Sequence, residues 1–201
     1  MLTAHPTRLG RWFWGTFSSL GIRWAFHKMV VEDMPAVDPQ RSLLLVGNHI
    51  SWWDGFWPLY LNRRYWHKHY HVMMLETQLR ARPFMRQGGA FSILPGSRTV
   101  LDSLAYAGQL LEDPTKLVLM FPQGKIHSLY QPEIRFARGA ERLWQPERSQ
   151  LFFLAAFPEY LSHPRPTLFY YVEEANADQA LAEGYAAFYR RVRARQAART
   201  S

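Results

Sequence analysis

The sequence predicts an α/β domain, in which strands and helices alternate along the chain and pack in layers. Hydrophobic residues make up 48% of the 201 residues and charged residues 20%, a composition that can build one core and excludes a disordered chain. Short apolar runs recur along the sequence, each bounded by turn-forming or polar residues. Helical patterns lie between these runs, and such alternation is typical of an α/β sandwich.

The first predicted element is an amphipathic helix over residues 8–31. Its aromatic residues are Trp12, Phe13, Trp14, Phe17, Trp24 and Phe26, interspersed with Arg8, Arg11, Arg23, His27 and Lys28. This composition is typical of a helix that lies in a membrane interface, and packing on the protein's own core is the alternative. Gly10, Gly15 and Gly21 lower the helix propensity of the segment.

Pro35 and Pro39 mark a linker after this helix. We therefore divide the chain into an amphipathic N-terminal membrane-interface segment, residues 1–34, and a folded domain, residues 35–201. The strands predicted in the domain are 43–46, 71–75, the end of 88–93, 117–121, 151–157 and 167–172. The helices predicted there are a short one through 53–59, then 76–84, 99–111, one that begins within 139–144, and 177–198.

A histidine and an aspartate follow the apolar run Leu43–Val46 in the segment Gly47-Asn48-His49-Ile50-Ser51-Trp52-Trp53-Asp54. A buried strand that ends in a histidine presents an imidazole at the edge of a sheet. An aspartate about one turn further on can orient that imidazole and stabilise the imidazolium that forms when it takes a proton. The pair is therefore interpreted as a general base, His49, with its orienting residue, Asp54.

A second block follows the apolar run Leu117–Met120. It reads Phe121-Pro122-Gln123-Gly124-Lys125-Ile126 and is followed by Phe136-Ala137-Arg138-Gly139-Ala140. Together with the His-x4-Asp segment, these residues resemble the glycerolipid acyltransferase family, whose best-known members make phosphatidate from lysophosphatidate. That family carries Asn-His-x4-Asp, Phe-Pro-Glu-Gly-Thr-Arg and Phe-x-x-Gly-Ala in this order, and the resemblance covers roughly residues 40–160.

The resemblance implies a central mixed sheet flanked by helices, and transfer of a fatty acyl group from coenzyme A or acyl carrier protein to a hydroxyl. In such a reaction His49 takes the hydroxyl proton, and Gly124 lies at the transfer centre. Its N–H can donate to an oxyanion or a phosphate, and an ordinary tight turn is the alternative explanation for this glycine. Lys125, Arg98 and Arg138 are candidates for anionic groups on donor or acceptor, and Gln123 is a further substrate-binding candidate. Family members use no metal and no cofactor beyond the acyl donor.

The middle block departs from the family at three positions. Gln123 stands in place of glutamate, Lys125 in place of threonine, and Ile126 in place of the arginine thought to hold the acceptor's phosphate. Lysine is a point charge, whereas arginine binds phosphate bidentately. The acceptor is therefore left open between a lyso-phospholipid, a related lipid and a non-phosphate molecule such as a glycosylated isoprenoid.

Aromatic residues beside His49 are candidates for the acyl-chain pocket, with core packing as the alternative; they are Trp52, Trp53, Phe56 and Trp57. Histidines 67, 69 and 71 alternate, so a strand would present all three on one face. That spacing can bind a metal, and a metal-dependent hydrolase is one rival interpretation. A catalytically silent lipid-binding protein with the same fold is another.

The net charge of +8 favours anionic partners such as a lipid surface, coenzyme A or a carrier protein. Nucleic acid is not expected, because no nucleic-acid-binding motif accompanies the arginines near the C-terminus. No apolar segment reaches about eighteen residues and no signal peptide is evident, so we expect a cytoplasmic protein, peripheral to the inner face of the membrane. The sequence contains no cysteine and specifies no oligomeric state.

Overall fold

Seven strands of one mixed sheet form the centre of the computed structural model, which describes residues 1–131, 133–136 and 140–200. The strands are β1 (Lys28–Glu32), β2 (Ser42–Gly47), β3 (His69–Leu75), β4 (Ala90–Ile93), β5 (Lys116–Met120), β6 (Ser149–Glu159) and β7 (Thr167–Glu174). The helices are α1 (Arg8–Ala25), α2 (Phe56–Leu61), α3 (Glu76–Ala81), α4 (Val100–Leu111) and α5 (Leu181–Ala197). Shorter helical turns lie at Trp52–Gly55, Asn62–Trp66, Pro83–Gly88 and Ala140–Arg142.

The strand order is β1-β7-β6-β2-β5-β3-β4. Strands β6, β2, β5, β3 and β4 run parallel to one another, whereas β7 is antiparallel to β6 and β1 runs parallel to β7. Helical crossovers are needed between parallel strands, so the helices lie on the faces of the sheet. The predicted central mixed sheet flanked by helices is therefore confirmed.

The central strands are buried on both faces. Leu43 to Val46 of β2 are each 0% exposed, and alternate residues join two separate cores. Leu44 and Val46 contribute to the core beneath α4 and α5, whereas Leu43 and Leu45 contribute to the core beneath α1 and α2. A strand covered on both sides reads as a continuous apolar run, which is the pattern from which β2 was predicted.

Helix α1 packs on the domain through a stripe of residues spaced by four: Gly10, Trp14, Ser18 and Ile22. Thr7 caps its N-terminus, because its side-chain oxygen accepts a hydrogen bond of 2.9 Å from the Gly10 N–H. A Cβ at Gly10 would lie 2.4 Å from the backbone oxygen of Gln87. Gly10 therefore lets the helix approach the neighbouring backbone closely, although glycine lowers helix propensity.

The structure corrects three predicted elements. The N-terminal helix ends at Ala25 rather than at residue 31, and residues 28–32 form edge strand β1 in register with β7. The helix predicted over 76–84 ends at Ala81, because Pro83 cannot donate a backbone hydrogen bond and begins a separate turn. For the helix predicted from 139–144, Gly139 lies outside the described residues, and the described part forms a single turn at Ala140–Arg142.

Within residues 1–131, 133–136 and 140–200, none of the helices combines the length and the apolar composition that crossing a bilayer would require.

The close approach at Gly10 yields a test of helix α1. We expect Gly10→Ala to lower the free energy of unfolding by about 1–3 kcal/mol, because the new Cβ must displace the Gln87 backbone. The matched control is Gly108→Ala in α4, where a Cβ meets no atom within 4 Å of the described structure. Alanine should stabilise that helix by about 0.5–1 kcal/mol. Urea unfolding of both variants checks the prediction, and a stabilised Gly10→Ala protein would contradict the packing of α1.

Candidate active site

His49 lies just beyond the carboxyl end of β2, and Phe121 just beyond the end of the adjacent strand β5. The two rings stack, with centroids 4.5 Å apart and an angle of 14° between their planes. Residues some seventy positions apart in sequence therefore meet, because neighbouring parallel strands end at one edge of the sheet. The structure thus brings the two predicted motifs together.

Asp54 holds both the imidazole and the backbone of the loop. Its Oδ2 lies 2.7 Å from Nδ1 of His49 and accepts hydrogen bonds from the N–H groups of Ile50 and Ser51, at 2.6 and 2.9 Å. Ser51 caps the turn Trp52–Gly55, since its side-chain oxygen accepts from the Trp53 N–H at 3.1 Å. The five-residue spacing of His49 and Asp54 is therefore set by a capping box around Ser51.

The electrostatics of this pair follow from its burial. Burial raises the pKa of Asp54, and the hydrogen bonds from His49 and from the Ser51 and Ile50 backbone oppose that rise. The Asp54 side chain is 2% exposed, whereas the His49 side chain is 25% exposed. Because the carboxylate accepts at Nδ1, that nitrogen carries the proton of the neutral ring and Nε2 is left to accept a proton.

Two amide side chains fix the segment that carries His49. Nδ2 of Asn48 donates a hydrogen bond of 3.1 Å to the backbone oxygen of Ala156 in β6. Oδ1 of Asn48 accepts a hydrogen bond of 2.9 Å from the backbone N–H of Ala156. Gln123 accepts a hydrogen bond of 2.6 Å from the backbone N–H of His49 through Oε1. Gln123, predicted to bind substrate, thus holds the backbone of His49 in place. A glutamate at this position would also carry an oxygen that can accept this hydrogen bond.

Gly124 ends a tight turn that begins at Phe121. Its φ of 70° lies in the left-handed region, and its N–H donates to the oxygen of Phe121 at 3.0 Å. A Cβ on Gly124 would meet nothing within 4 Å, so its backbone conformation, rather than a close approach, accounts for the glycine. In this structure that N–H closes the turn, and its expected donation to an oxyanion stays a prediction.

A cavity of about 670 Å³ opens beside His49 at the carboxyl edge of β5, β3 and β4. Most of its wall is apolar, including Val72, Met73, Met74, Met85 and Met120. Lys125 lines it next to Gly124, and its side chain is exposed. An imidazole, an apolar cavity and a cation thus lie together.

Only part of the predicted aromatic set lines this cavity. Trp52 and Phe56 do, and Trp52 is also 55% exposed at the surface. Trp53 instead packs against Gly21 and Phe26 of the N-terminal segment, and Trp57 is 1% exposed against Phe26 and Tyr170. The assignment of Trp53 and Trp57 to the cavity wall is therefore wrong, because both side chains point into the core beneath α1.

Of the predicted arginines, Arg98 does not join this group. Arg98 is exposed and does not line the cavity, although Gly96, two positions earlier, does. Arg138 lies outside the described residues. Sequence reasoning missed Arg82 and Gln78, which line the cavity after β3. It also missed Trp14, whose spacing from Gly10 and Ser18 marks the buried face of α1.

The three alternating histidines do not share a strand face. His67 has a φ of 54° and precedes β3, while the Nδ1 of His69 lies 2.8 Å from Nη1 of Arg11. His71 is 2% exposed, and burial lowers its pKa to about 4, which keeps it neutral near pH 7. Across the described ranges, no cluster of three or more histidine, aspartate and glutamate side chains is positioned to hold a metal ion.

The bond from His49 to Gln123 gives a stability test. We expect Gln123→Leu to lower the free energy of unfolding by about 1–3 kcal/mol, because the half-buried His49 N–H loses its acceptor. Gln123→Glu is the matched control and should stay close to the wild type, since a carboxylate oxygen accepts the same bond. Thermal unfolding measures both, and equal stability of the leucine variant would refute the positioning role.

Comparisons with known proteins identify the family and the fold of the chain. The family model described as Acyltransferase matches residues 28–147, which is more than half of the chain. A search of curated proteins gives no match. The fold is similar to the crystal structure of the 1-acyl-sn-glycerophosphate (LPA) acyltransferase PlsC from Thermotoga maritima, with a TM-score of 0.69 and 14% sequence identity over 94% of this chain and 80% of that chain. The chain therefore belongs to the acyltransferase family, as its resemblance to the glycerolipid acyltransferases predicted.

Proposed function

We propose that this protein is an O-acyltransferase that moves a fatty acyl group from acyl-CoA or acyl carrier protein to a hydroxyl of a lyso-phospholipid or related lipid. The observation that carries the proposal is the His49–Asp54 pair on the wall of an apolar cavity. Among acyltransferase substrates, a fatty acyl chain is the group that is complementary to an apolar cavity wall. A volume of about 670 Å³ falls in the range of roughly 300–1,000 Å³ that is usual for small-molecule sites.

In the proposed reaction, Nε2 of His49 takes the proton of the acceptor hydroxyl as its oxygen attacks the thioester carbonyl carbon. Asp54 stabilises the imidazolium that forms, through its contact of 2.7 Å with Nδ1. The new C–O bond gives a tetrahedral intermediate, which collapses as the C–S bond breaks. The departing thiolate takes the proton from His49, so the base returns to its starting state and no cofactor is consumed.

The identity of the acyl acceptor is less constrained than that of the acyl donor. Lys125 lines the cavity one position before Ile126, which also lines it and is 54% exposed. A lyso-phospholipid would place its anionic group near Lys125. A non-phosphate acceptor such as a glycosylated isoprenoid is the alternative, and the apolar Ile126 at the family's arginine position favours it.

We further propose that the protein docks on the inner face of the membrane through helix α1. A helix packed on a core normally carries polar residues on its opposite face. Here the residues exposed opposite the buried stripe include Leu9, Trp12, Phe13, Leu20 and Trp24, with exposed fractions from 49 to 79%. Trp52 joins this surface to the cavity, because it lines the cavity and contacts Phe17 of α1.

The catalytic roles are tested by acyl transfer from labelled palmitoyl-CoA and palmitoyl carrier protein to a panel of lyso-phospholipids and glycosylated lipids. We expect His49→Ala to lower kcat/KM by about 100- to 10,000-fold, because general base catalysis is lost. Asp54→Asn should lower kcat at least about 100-fold, because the neutral amide no longer stabilises the imidazolium.

The matched control for this assay is His5→Ala, an exposed histidine near the N-terminus, which should retain full activity. Circular dichroism checks that all variants fold. Lipid binding without transfer in the wild-type protein would reject the enzyme and support the silent lipid-binding protein. Activity that survives His49→Ala would reject the assigned base.

Membrane docking is tested by flotation with anionic vesicles. Deletion of residues 1–30 would remove the buried residues Trp14 and Ile22, so surface substitutions are the cleaner variants. We expect Trp12→Ser with Trp24→Ser to lower the bound fraction several-fold, since each tryptophan buries a large apolar area in the interface. Tyr130→Ser, an aromatic residue 86% exposed outside α1, is the control. Equal flotation of both proteins would exclude α1 as the docking element.

A further inference from the structure

Apart from His49, the charged and amide side chains that line the cavity within the described residues are Gln78, Arg82 and Lys125. The rest of the wall is dominated by methionine, aliphatic and aromatic residues. A charge attracts an anionic ligand more strongly where the surroundings are apolar and partly exclude water, and Arg82 is half-buried on this wall. Lys125 already belongs to the proposed transfer centre, so Arg82 and Gln78 are the polar groups to which no role has been assigned.

Arg82 differs from the arginines around it. Nη1 of Arg82 donates to Oε1 of Gln78 at 2.6 Å. Arg80 is instead paired with the Glu76 carboxylate through Nε at 3.0 Å and Nη2 at 2.6 Å, and Nε of Arg86 donates to the backbone oxygen of Thr3. No carboxylate in the described parts of the chain pairs with Arg82. The neutral amide orients the guanidinium and leaves its charge uncompensated.

The topology brings Arg82 to the same edge of the sheet as the proposed catalytic residues. Strand β3 lies beside β5 and runs directly into α3, and Arg82 is the residue that follows α3. His49 follows β2, Lys125 follows β5 and Arg82 follows β3, so three adjacent parallel strands each contribute one of these groups. A ligand that extends from His49 through the cavity can therefore reach Arg82.

We propose that Arg82, oriented by Gln78, binds a phosphate group of a substrate in this cavity. The planar guanidinium presents donors in a fork that matches phosphate oxygens, which a lysine cannot do. This assignment rests on the proposed acyl transfer and deepens it. It provides bidentate anion recognition from the segment after β3, whereas the segment after β5 carries Ile126 where the family has arginine. The phosphate can belong to the acceptor headgroup or to the pantetheine-bearing donor.

Direct binding tests this without turnover, and the intrinsic fluorescence of Trp14 and Trp52 in the cavity wall provides the signal. Two probe pairs are matched in chain length and differ in phosphate. Lauroyl-lysophosphatidate is compared with monolauroylglycerol for the acceptor. S-dodecyl-4′-phosphopantetheine, the part that coenzyme A and carrier protein share, is compared with S-dodecyl-pantetheine for the donor. The proteins are the wild type, Arg82→Ala, Arg82→Lys and the control Arg190→Ala, an exposed arginine on α5, which contributes no residue to the cavity in the described structure.

We expect Arg82→Ala to raise the Kd of the phosphate-bearing member of one pair by about 10- to 100-fold, with the neutral member changed less than about twofold. The pair that responds identifies acceptor or donor as the source of the phosphate. Arg82→Lys should recover part of the affinity, and Arg190→Ala should match the wild type.

An equal change for both members of each pair, or no change for either, would overturn the assignment. So would wild-type protein that binds phosphate-bearing probes no more tightly than neutral ones. A phosphate preference that depends on Arg82, found together with no acyl transfer in the His49 assay, would reject the proposed function and leave the phosphate site standing.

Discussion

The burial of parallel strands β2 and β5 on both faces is the constraint from which the site follows. Residues Leu43–Val46 and Leu117–Leu119 are all 0% exposed, so no polar side chain can lie along these strands without losing its contact with water. Polar groups first become possible where the strands end. Because parallel strands end at one edge, groups from distant parts of the chain converge there, and His49 meets Phe121.

The loop after β2 then has to satisfy its own backbone, and the residues that do so lie in the two segments singled out from the sequence. Asp54 accepts from two backbone N–H groups as well as from His49, while Gln123 accepts from the N–H of His49 itself. The orientation of the base is therefore coupled to the conformation of the loop. A carboxylate fixed by backbone donors keeps the imidazole in one tautomer, which is the state that the proposed general base requires.

The sequence predicted the parts of the fold that depend on local pattern. Continuous apolar runs located β2, β5, β6 and β7, and the His-x4-Asp spacing predicted the contact between His49 and Asp54. Strand β1 was missed because Met29, Val30 and Val31 follow the aromatic helix without a proline or a turn signal to separate them, although two consecutive β-branched residues favour a strand. Arg82 was missed because its place in the cavity depends on the strand order β2-β5-β3, which no local pattern specifies.

Helix α1 shows why the choice between core helix and membrane helix could not be settled from composition. Its buried stripe, with Gly10 and Ser18, lets the helix lie close enough for Trp14 to form part of the cavity wall. Its opposite face is also apolar, and no packing in the described structure accounts for that face, since Trp12 and Trp24 remain 63% and 79% exposed. The helix that closes the cavity is thus also the one that presents apolar surface. In the proposed membrane docking, the helix that contacts the bilayer also contributes Trp14 to the wall of the cavity.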